Sequence, residues 1–429
     1  MTHVKSASFK TAIVLGCMYS LSVMDRQIVA MLLEPIKHDM QLSDTQLALM
    51  SGLVFALFYG AMGIPIARLA DRANRVNILS WCLGVWSLMT ALSGMAVNFT
   101  MMLLARIGVG VGEAGCQPAG QSIIADTYEE SRRARALAIF AAGAPIGGLL
   151  AYLLGGALAD TYGWRVTLIA AGVPGLIFAV LIRYLITEPQ RTAASNEAEQ
   201  QAVIPEIKKL LATPIYRYAL LGHIFCIALM YTIMIWVPTL MIRVHQLSLT
   251  EIGIIIGASS LIGGLAGSIL SGVITDVMAN KHSKWLGALP MLYCLLALPL
   301  FMGFLWTSSM WVSIGLLTVC MILLNAHTPP CYATYHKSVA PENRAMSVAL
   351  STLSVNIIGL GLAPLLVGSI SDVLSSEYGE RSLNMAMFVG AAFLPLGAYC
   401  YYKVAQLFAT EHIKTVTTEN LAEVEPALK

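Results

Sequence analysis

Residues 103–126, LLARIGVGVGEAGCQPAGQSIIAD, decide how the rest of the chain is interpreted. They have the length and apolar character of a membrane-spanning helix, yet they hold Arg106 and Glu113 far from either end. Upstream, residues 23–27 (VMDRQ) place Asp25 and Arg26 inside another apolar segment. One charged side chain at mid-bilayer costs about 2.5–3.5 kcal/mol on insertion scales. These side chains therefore need partners, a water-filled cavity or a proton that moves.

The composition excludes a soluble enzyme. Of 429 residues, 57% are hydrophobic and 12% are charged, whereas soluble domains carry about 25% charged residues. The 8 cysteines are scattered without a C-x-x-C pair, so we expect no disulfide framework, metal or other cofactor. Neither G-x-x-x-x-G-K-[ST] nor H-E-x-x-H occurs. We therefore expect no enzymatic activity and no nucleic-acid partner.

The apolar segments predict an all-α membrane protein. A span needs about 20 predominantly apolar residues, and twelve segments qualify. The first six are 9–33, 45–69, 76–97, 100–125, 135–158 and 166–186; the second six are 216–242, 250–278, 284–305, 310–332, 345–374 and 382–408. This predicts a bundle at 1–186, a cytoplasmic linker at 187–215, a second bundle at 216–408 and a polar tail at 409–429.

The basic residues predict the orientation. Most of the 26 lysines and arginines fall on one side when the segments are threaded through a bilayer. Because cytoplasmic loops collect such residues, both termini are expected in the cytoplasm.

The two halves repeat. Residues 41–46 (QLSDTQ) and 246–251 (QLSLTE) stand at equivalent positions, and each contains a Ser-x-x-Gln/Glu capping box. Gly156-x-x-x-Asp160 and Gly368-x-x-x-Asp372 end the equivalent fifth and eleventh segments. Two related halves are typical of secondary transporters.

The intramembrane charges are candidates for proton coupling. Counting helical rise places Asp25 and Arg106 at similar depth, and Glu113 lies two turns from Arg106 on the same face. A carboxyl group between apolar surroundings and an arginine can load and release a proton. A static buried ion pair that fixes helix packing is the alternative.

Other motifs have structural explanations. Gly110-x-Gly112-x-x-Gly115 formally matches a dinucleotide fingerprint, but it lies inside a continuous apolar helix. We interpret it, like Gly143-x-x-x-Gly147, as close helix packing. In the second half, polar or amphipathic residues on the seventh and tenth segments are candidates either for packing or for ligand binding. They are His223, Tyr231, Trp236, Asn325, His327, Tyr332 and His336.

Several motifs resemble a known family. Residues 71–75 (DRANR), directly after the second segment, resemble the loop motif of the major facilitator superfamily. Arg106 with its following glycines and Glu113 resembles the fourth-helix motif, and residues 143–148 resemble the fifth-helix motif. Together with Met24-Asp25-Arg26, this pattern is similar to the spinster subfamily of lipid transporters. The likeness covers nearly all of the first half, and the second half mainly by architecture.

The resemblance implies twelve helices in two pseudo-symmetric bundles that rock around a central cavity. It implies proton coupling through Asp25 and Glu113, and a substrate site with Arg26 and Arg106. To that substrate site we add Tyr231, Trp236, Asn325 and His327. The resemblance also implies a cytoplasmic latch, formed by Asp71, Arg72, Arg75 and Asp126.

We therefore expect a proton-coupled transporter that works by alternating access. Its substrate would be an amphiphilic, phosphate-bearing lipid such as a lysophospholipid or a sphingosine-phosphate-like molecule, because an arginine suits the phosphate and an apolar wall suits the tail. The alternatives are a drug or organic-anion transporter of the same fold, or a ligand sensor that transports nothing. Protons, the substrate and the lipid bilayer are the expected partners of a monomer in the bacterial inner membrane.

Overall fold

The computed structural model describes residues 9–190 and 203–424, without the side chains of Asp71, Val203, Glu342 and residues 411–424. Within these ranges all regular structure is helical. Up to the linker the α-helices are α1 (Lys10–Met31), α2 (Leu33–Met40), α3 (Asp44–Ala48), α4 (Val54–Arg72), α5 (Arg75–Gly94), α6 (Phe99–Glu113), α7 (Cys116–Thr127), α8 (Glu130–Ala141) and α9 (Gly143–Leu185).

Of the remaining α-helices, the first lies in the predicted linker and the others follow it along the chain. They are α10 (Val203–Ala212), α11 (Pro214–His245), α12 (Leu249–Lys281), α13 (Trp285–Trp306), α14 (Met310–Ala326), α15 (Thr328–Ser338), α16 (Arg344–Ser354), α17 (Ala363–Tyr378), α18 (Ser382–Ala391) and α19 (Phe393–Val424). Two π-helical stretches, Leu49–Leu53 and Val355–Leu362, precede α4 and α17.

Ten helical stretches of the described chain are long and apolar enough to cross a membrane. Two of them, Glu130–Leu185 and Arg344–Thr410, contain 56 and 67 residues. At about 1.5 Å per residue, each is far longer than a hydrocarbon core of about 30 Å. The backbone of the first leaves helical geometry at Gly163, where φ is 78°. The all-helical fold is confirmed, whereas the count of twelve spans and the cytoplasmic termini stay predictions.

The distribution of polarity is that of a protein in lipid. Large apolar side chains such as Ile64 (62% exposed) and Val180 (60% exposed) lie on the surface. Asp25, Arg106 and Glu113 are at most 1% exposed. Burying charge while exposing hydrocarbon is unfavourable in water and favourable in a bilayer.

The chain forms two compact units that interleave along the sequence. Unit 1 contains the described residues up to 190 together with 231–261 and 356–387. Unit 2 contains 203–230, 262–355 and the described residues from 388. The predicted halves, by contrast, follow one another along the chain, and their boundaries stay a prediction.

Both predicted capping boxes are present at helix starts in unit 1. The Ser43 hydroxyl accepts from the Gln46 amide at 3.2 Å, and the Gln46 side chain accepts from the Ser43 amide at 2.9 Å. Ser248 and Glu251 make the same two bonds at 3.2 and 2.9 Å. These bonds satisfy amides that lack a partner in the first helical turn.

The glycine motifs lie where helices touch. A Cβ added at Gly112 would stand 2.7 Å from the Trp86 backbone nitrogen, so α6 approaches α5 too closely for any side chain at this position. At Gly147 it would collide with the backbone of Ser20, on α1. The close-packing interpretation of these glycines therefore agrees with the structure.

Candidate functional site

A polar cluster, defined here as Ser22, Asp25, Arg26, Arg106 and Glu113, lies between α1 and α6 in unit 1. Arg26 Nε is 2.9 Å from Glu113 Oε2, an ion pair whose angle falls outside hydrogen-bond geometry. Ser22, one turn before Arg26, links the pair. Its hydroxyl donates to Glu113 Oε2 at 2.9 Å and accepts from Arg26 Nη2 at 3.1 Å. Glu113, the carboxylate at the end of α6, is thus held by two side chains of α1.

Asp25 has a partner that the sequence analysis missed. Its Oδ2 accepts from the Thr90 hydroxyl of α5 at 3.0 Å, and its Oδ1 has no hydrogen-bond partner among the described residues. Arg106, Arg26 and Glu113 are close enough to act on Asp25 electrostatically. The similar depths of Asp25 and Arg106 predicted that these two residues pair, but the direct contacts in the structure are Arg26 with Glu113 and Asp25 with Thr90.

Arg106 is buried but incompletely satisfied. It is 1% exposed, and its Nε and Nη1 groups have no hydrogen-bond partner within the described chain. Its guanidinium carbon lies 5.7 Å from the Phe55 ring centroid, and that of Arg26 lies 5.6 Å from the rings of Phe55 and Tyr59. Aromatic faces stabilise such cations. They do not replace the oxygen acceptors that guanidinium N–H groups require.

The four charges of the cluster balance when both carboxyl groups are ionised. If one carboxyl group takes up a proton, the cluster carries a net positive charge. A phosphate or carboxylate near Arg106 would then be favoured, because it supplies oxygen acceptors and opposite charge together. The arrangement can therefore link proton uptake to anion binding.

The predicted second-half site residues divide between the units. In unit 1, Tyr231 lies within electrostatic range of Arg26, and fully buried Trp236 donates from Nε1 to the Pro364 carbonyl at 3.0 Å. In unit 2, Asn325 donates to the Met321 carbonyl at 2.8 Å, and His327 contacts another histidine. Of these four residues, Tyr231 is the one that interacts with the polar cluster in the described part of the chain.

The predicted latch is centred on Arg75, at the start of α5. Its Nη1 donates to Asp126 Oδ2 at 2.5 Å and to the Ser122 hydroxyl at 2.9 Å, while its Nε donates to Glu188 Oε1 at 2.8 Å. Glu188 was not predicted, although it stands in the polar stretch after α9. Arg72 is exposed, and the side chain of Asp71 lies outside the described residues.

A second ionic network, here called the Arg243 lock, was missed by the sequence analysis. Arg243 donates to Glu34 Oε2 at 2.9 and 2.7 Å, and to both Asp44 oxygens at 3.0 and 2.8 Å. Lys37 Nζ adds a contact of 2.5 Å to Asp44 Oδ1. Asp44 begins the 27-residue stretch Asp44–Ala70, so the lock lies about 40 Å along the helix from the Arg75 end.

Two aspartates cap helices of the opposite predicted half. Asp372 accepts from the amides of Asp44 and Thr45, both at 2.8 Å, and from the Thr45 hydroxyl at 2.5 Å. Asp160 does the same for Leu249 and Thr250, with amide distances of 3.1 and 2.7 Å. We call these bonds the aspartate clamps. They give a physical role to the repeated Gly-x-x-x-Asp motif.

The described residues contain no group of three or more His, Cys, Asp or Glu side chains able to hold a metal ion. The site is therefore a set of arginines, carboxyl groups, hydroxyls and aromatic rings. Such a set can bind protons and anions without a cofactor.

The chain is similar to several transporters. It is 29% identical over 406 residues to an MFS-type efflux pump of Mycolicibacterium smegmatis, covering 94% of this chain and 93% of that protein. It is 25% identical over 418 residues to a probable L-galactonate transporter of Escherichia coli (93% and 90% covered). It is 24% identical over 430 residues to the sphingosine-1-phosphate transporter SPNS2 of Danio rerio (93% and 84% covered).

The structure shows the same relationship. It matches the crystal structure of a bacterial homologue of the human lysosomal transporter spinster, in an inward-facing and unoccupied conformation. The TM-score is 0.86 at 27% identity, with 94% of this chain and 98% of that chain covered. The Major Facilitator Superfamily model matches residues 15–364, which is most of the chain. This protein, a spinster-like multi-pass membrane transporter rather than an enzyme, belongs to the Major Facilitator Superfamily.

Proposed function

We propose that the protein is a proton-coupled transporter of an amphiphilic anion, such as a lysophospholipid or a sphingosine-phosphate-like lipid. The observation that carries the proposal is Arg106, buried beside two carboxyl groups with Nε and Nη1 groups that have no hydrogen-bond partner among the described residues. A purely structural arginine would be expected to have its N–H groups paired. An anionic headgroup would satisfy them.

In this proposal, Asp25 and Glu113 carry the proton and Arg26 and Arg106 bind the anion. Glu113 is already held by Arg26 and Ser22. Asp25 has one neutral hydrogen-bond donor, Thr90, and one oxygen without a partner among the described residues. Because its ionised form is less well satisfied, Asp25 is the first candidate for proton uptake.

Alternating access needs closures that form and break at the two ends of the passage. We assign Asp71, Arg72, Arg75 and Asp126 to the cytoplasmic latch, and the Arg243 lock with the aspartate clamps to the outer closure. This assignment places both termini in the cytoplasm of a bacterial inner-membrane monomer. It also divides each of the two very long helical stretches into two spans, which gives twelve.

The similarity to a sphingosine-1-phosphate transporter and to a spinster homologue supports a lipid substrate. The similarity to an efflux pump and to a probable L-galactonate transporter supports the second candidate, a drug or organic-anion carrier. In both candidates the substrate's anionic group binds to Arg106. The two candidates differ in whether the substrate also has an acyl chain.

The central test is Asp25→Asn in proteoliposomes supplied with lysophosphatidylglycerol and a pH-sensitive dye inside. We expect substrate-driven proton movement to fall by at least about tenfold, because asparagine cannot take up the proton. Asp39→Asn, at an exposed carboxylate paired with Arg165, is the matched control and should behave as wild type. Undiminished proton movement in a folded Asp25→Asn protein would refute the role of Asp25.

The substrate class is tested with Arg106→Ala. Loss of a charge-assisted contact costs about 1.5–3 kcal/mol, so binding of lysophosphatidylglycerol should weaken about tenfold to a hundredfold. Binding of an uncharged monoacylglycerol should change little. Equal losses would make Arg106 structural. Galactonate binding in place of lipid binding would favour the organic-anion carrier, and binding without flux would favour a sensor.

A further inference from the structure

A buried histidine pair lies in unit 2, whereas the residues assigned to proton coupling belong to unit 1. His223 comes from α11, and His327 stands at the junction between α14 and α15. His223 Nδ1 is 2.9 Å from His327 Nε2, and the two residues are 3% and 1% exposed. The two rings therefore share a hydrogen bond inside the unit.

The hydrogen positions of the neutral pair follow from its contacts. His327 Nδ1 faces the Leu324 carbonyl oxygen. That oxygen can only accept, so His327 Nδ1 carries a hydrogen. The Nε2 atom of neutral His327 is then bare, and His223 Nδ1 must carry the hydrogen that joins the rings.

The same geometry limits the pair to one extra proton. An added proton can reside on His223 Nε2, and the shared hydrogen can then belong to either ring without breaking the 2.9 Å bond. A second proton would place two N–H groups against each other. The site can therefore be neutral or singly charged while its hydrogen bond persists.

The described surroundings supply no fixed charge that would stabilise an added proton, and burial by itself disfavours the charged form of an imidazole. Within the described residues, no carboxylate, lysine or arginine acts electrostatically on either imidazole. Tyr332 and Tyr335 of α15 face His223, with ring centroids at 5.8 and 6.2 Å, and Tyr401 of α19 faces His327 at 6.5 Å. The titratable groups beyond these rings are thiols: Cys226, Cys294, Cys331 and Cys400.

The pair also occupies a break in a membrane-spanning stretch. His327 is followed by Pro329 and Pro330, and a proline nitrogen cannot donate to the preceding turn. Side chains supply bonds there instead: His327 donates to Leu324, and the Ser271 hydroxyl donates to the Ala326 carbonyl at 2.5 Å. A proton taken up by the pair would therefore place its charge where the helix already lacks backbone hydrogen bonds.

We propose that His223 and His327 form a one-proton binding site at the α14–α15 junction, separate from Asp25 and Glu113. The pair combines the residue type that titrates nearest to neutral pH with a geometry that keeps its hydrogen bond in both charge states. Uptake of this proton would change the net charge of unit 2 whether or not Asp25 and Glu113 are protonated. The proposal does not depend on proton-coupled flux, so it stands or falls separately from the proposed function.

The test is nuclear magnetic resonance of the full-length protein in lipid bilayers, labelled with ¹⁵N-histidine, from about pH 4 to about pH 9, a range that brackets the ordinary histidine pKa of about 6.5. We expect a nitrogen–nitrogen coupling across the 2.9 Å bond at every pH. We also expect one pair of imidazole signals to move from neutral to cationic positions with the uptake of a single proton.

Three variants assign those signals. His223→Gln and His327→Gln should each abolish the coupling and the shared titration. His336→Gln, on exposed His336 of the same α15, should leave both unchanged. A pair that stays neutral over the whole range, a wild-type protein without the coupling, or uptake of two protons would each overturn the proposal. The wild-type spectra decide the matter even if a glutamine variant fails to fold.

Discussion

Replacement of Arg243 by alanine should open the end of the protein at which α3 begins. Arg243 is the shared partner of two buried carboxylates, Glu34 and Asp44, whose side chains are 6% and 2% exposed. Removing one partner of a buried ion pair costs about 3–5 kcal/mol, since the other charge is left uncompensated. Lys37 still contacts Asp44, so we take the lower value. The carboxylates become hydrated if this end opens, and the penalty is then relieved.

A penalty of about 3 kcal/mol corresponds to a change of about a hundredfold in the ratio of closed to open molecules. Spin labels at Tyr162, 63% exposed, and at exposed Glu380 would report the change by pulsed electron paramagnetic resonance. Cys17, the one exposed cysteine in the described chain, is first replaced by serine. We expect a longer label-to-label distance to dominate in Arg243→Ala.

Two further variants make this experiment decisive. Glu34→Gln in the Arg243→Ala background removes the carboxylate that has lost its arginine, while Asp44 keeps its contact with Lys37, and should restore part of the closed population. Arg217→Ala, at an exposed arginine on the same α11, should leave the distance unchanged. An unaltered distance in Arg243→Ala would show that the lock does not hold this end closed.

Other substitutions test the remaining contacts. Arg75→Ala removes the partner of Asp126 and Glu188 and should raise cysteine labelling at the α4–α5 end, whereas exposed Arg72→Ala should have a much smaller effect. Asp372→Ala removes a clamp across the α3 start and, at about 0.5–2 kcal/mol for a lost helix cap, should increase opening about twofold to thirtyfold; exposed Glu377→Ala on the same α17 is its control in the distance measurement. Gly147→Leu places a side chain against the Ser20 backbone and should lower the melting temperature, measured by fluorescence, by several degrees.

Local patterns predicted local structure well. Apolar length predicted membrane-spanning helices, and ten stretches of the described chain are long and apolar enough to be such helices. Ser43 and Ser248, with their partners three residues later, predicted helix starts that the structure contains. These features depend on neighbours within one or two turns, so the sequence contains all the information they need. The break at Gly163 falls between the predicted segments 135–158 and 166–186, whereas the two π-helical stretches were not predicted, because no local sequence pattern marks them.

Partners at long range were harder to predict. The intramembrane charges were identified from their cost in lipid, but depth alone could not separate Arg26 from Arg106 as the partner of Glu113. Asp25 and Arg26 are adjacent on α1, so their side chains point about 100° apart around the helix axis. Only the packing of α1 against its neighbours decides which of the two faces Glu113 on α6. The Arg243 lock joins residues about 200 positions apart. Charges at span ends were interpreted as orientation signals, so this pairing was overlooked.

The repeated motif shows how related halves can acquire different strengths. Asp160 and Asp372 cap equivalent helix starts, and both motif glycines contact a backbone carbonyl there, Gly156 that of Leu249 and Gly368 that of Asp44. The first capped residue is leucine at one site and aspartate at the other. Only the aspartate can also bind Arg243 and Lys37. One clamp is therefore made of capping bonds and packing alone, while the other depends additionally on charge. It follows that the contacts with Arg243 and Lys37 add ionic stabilisation to the Asp44 side of the proposed closure that the Asp160 side lacks.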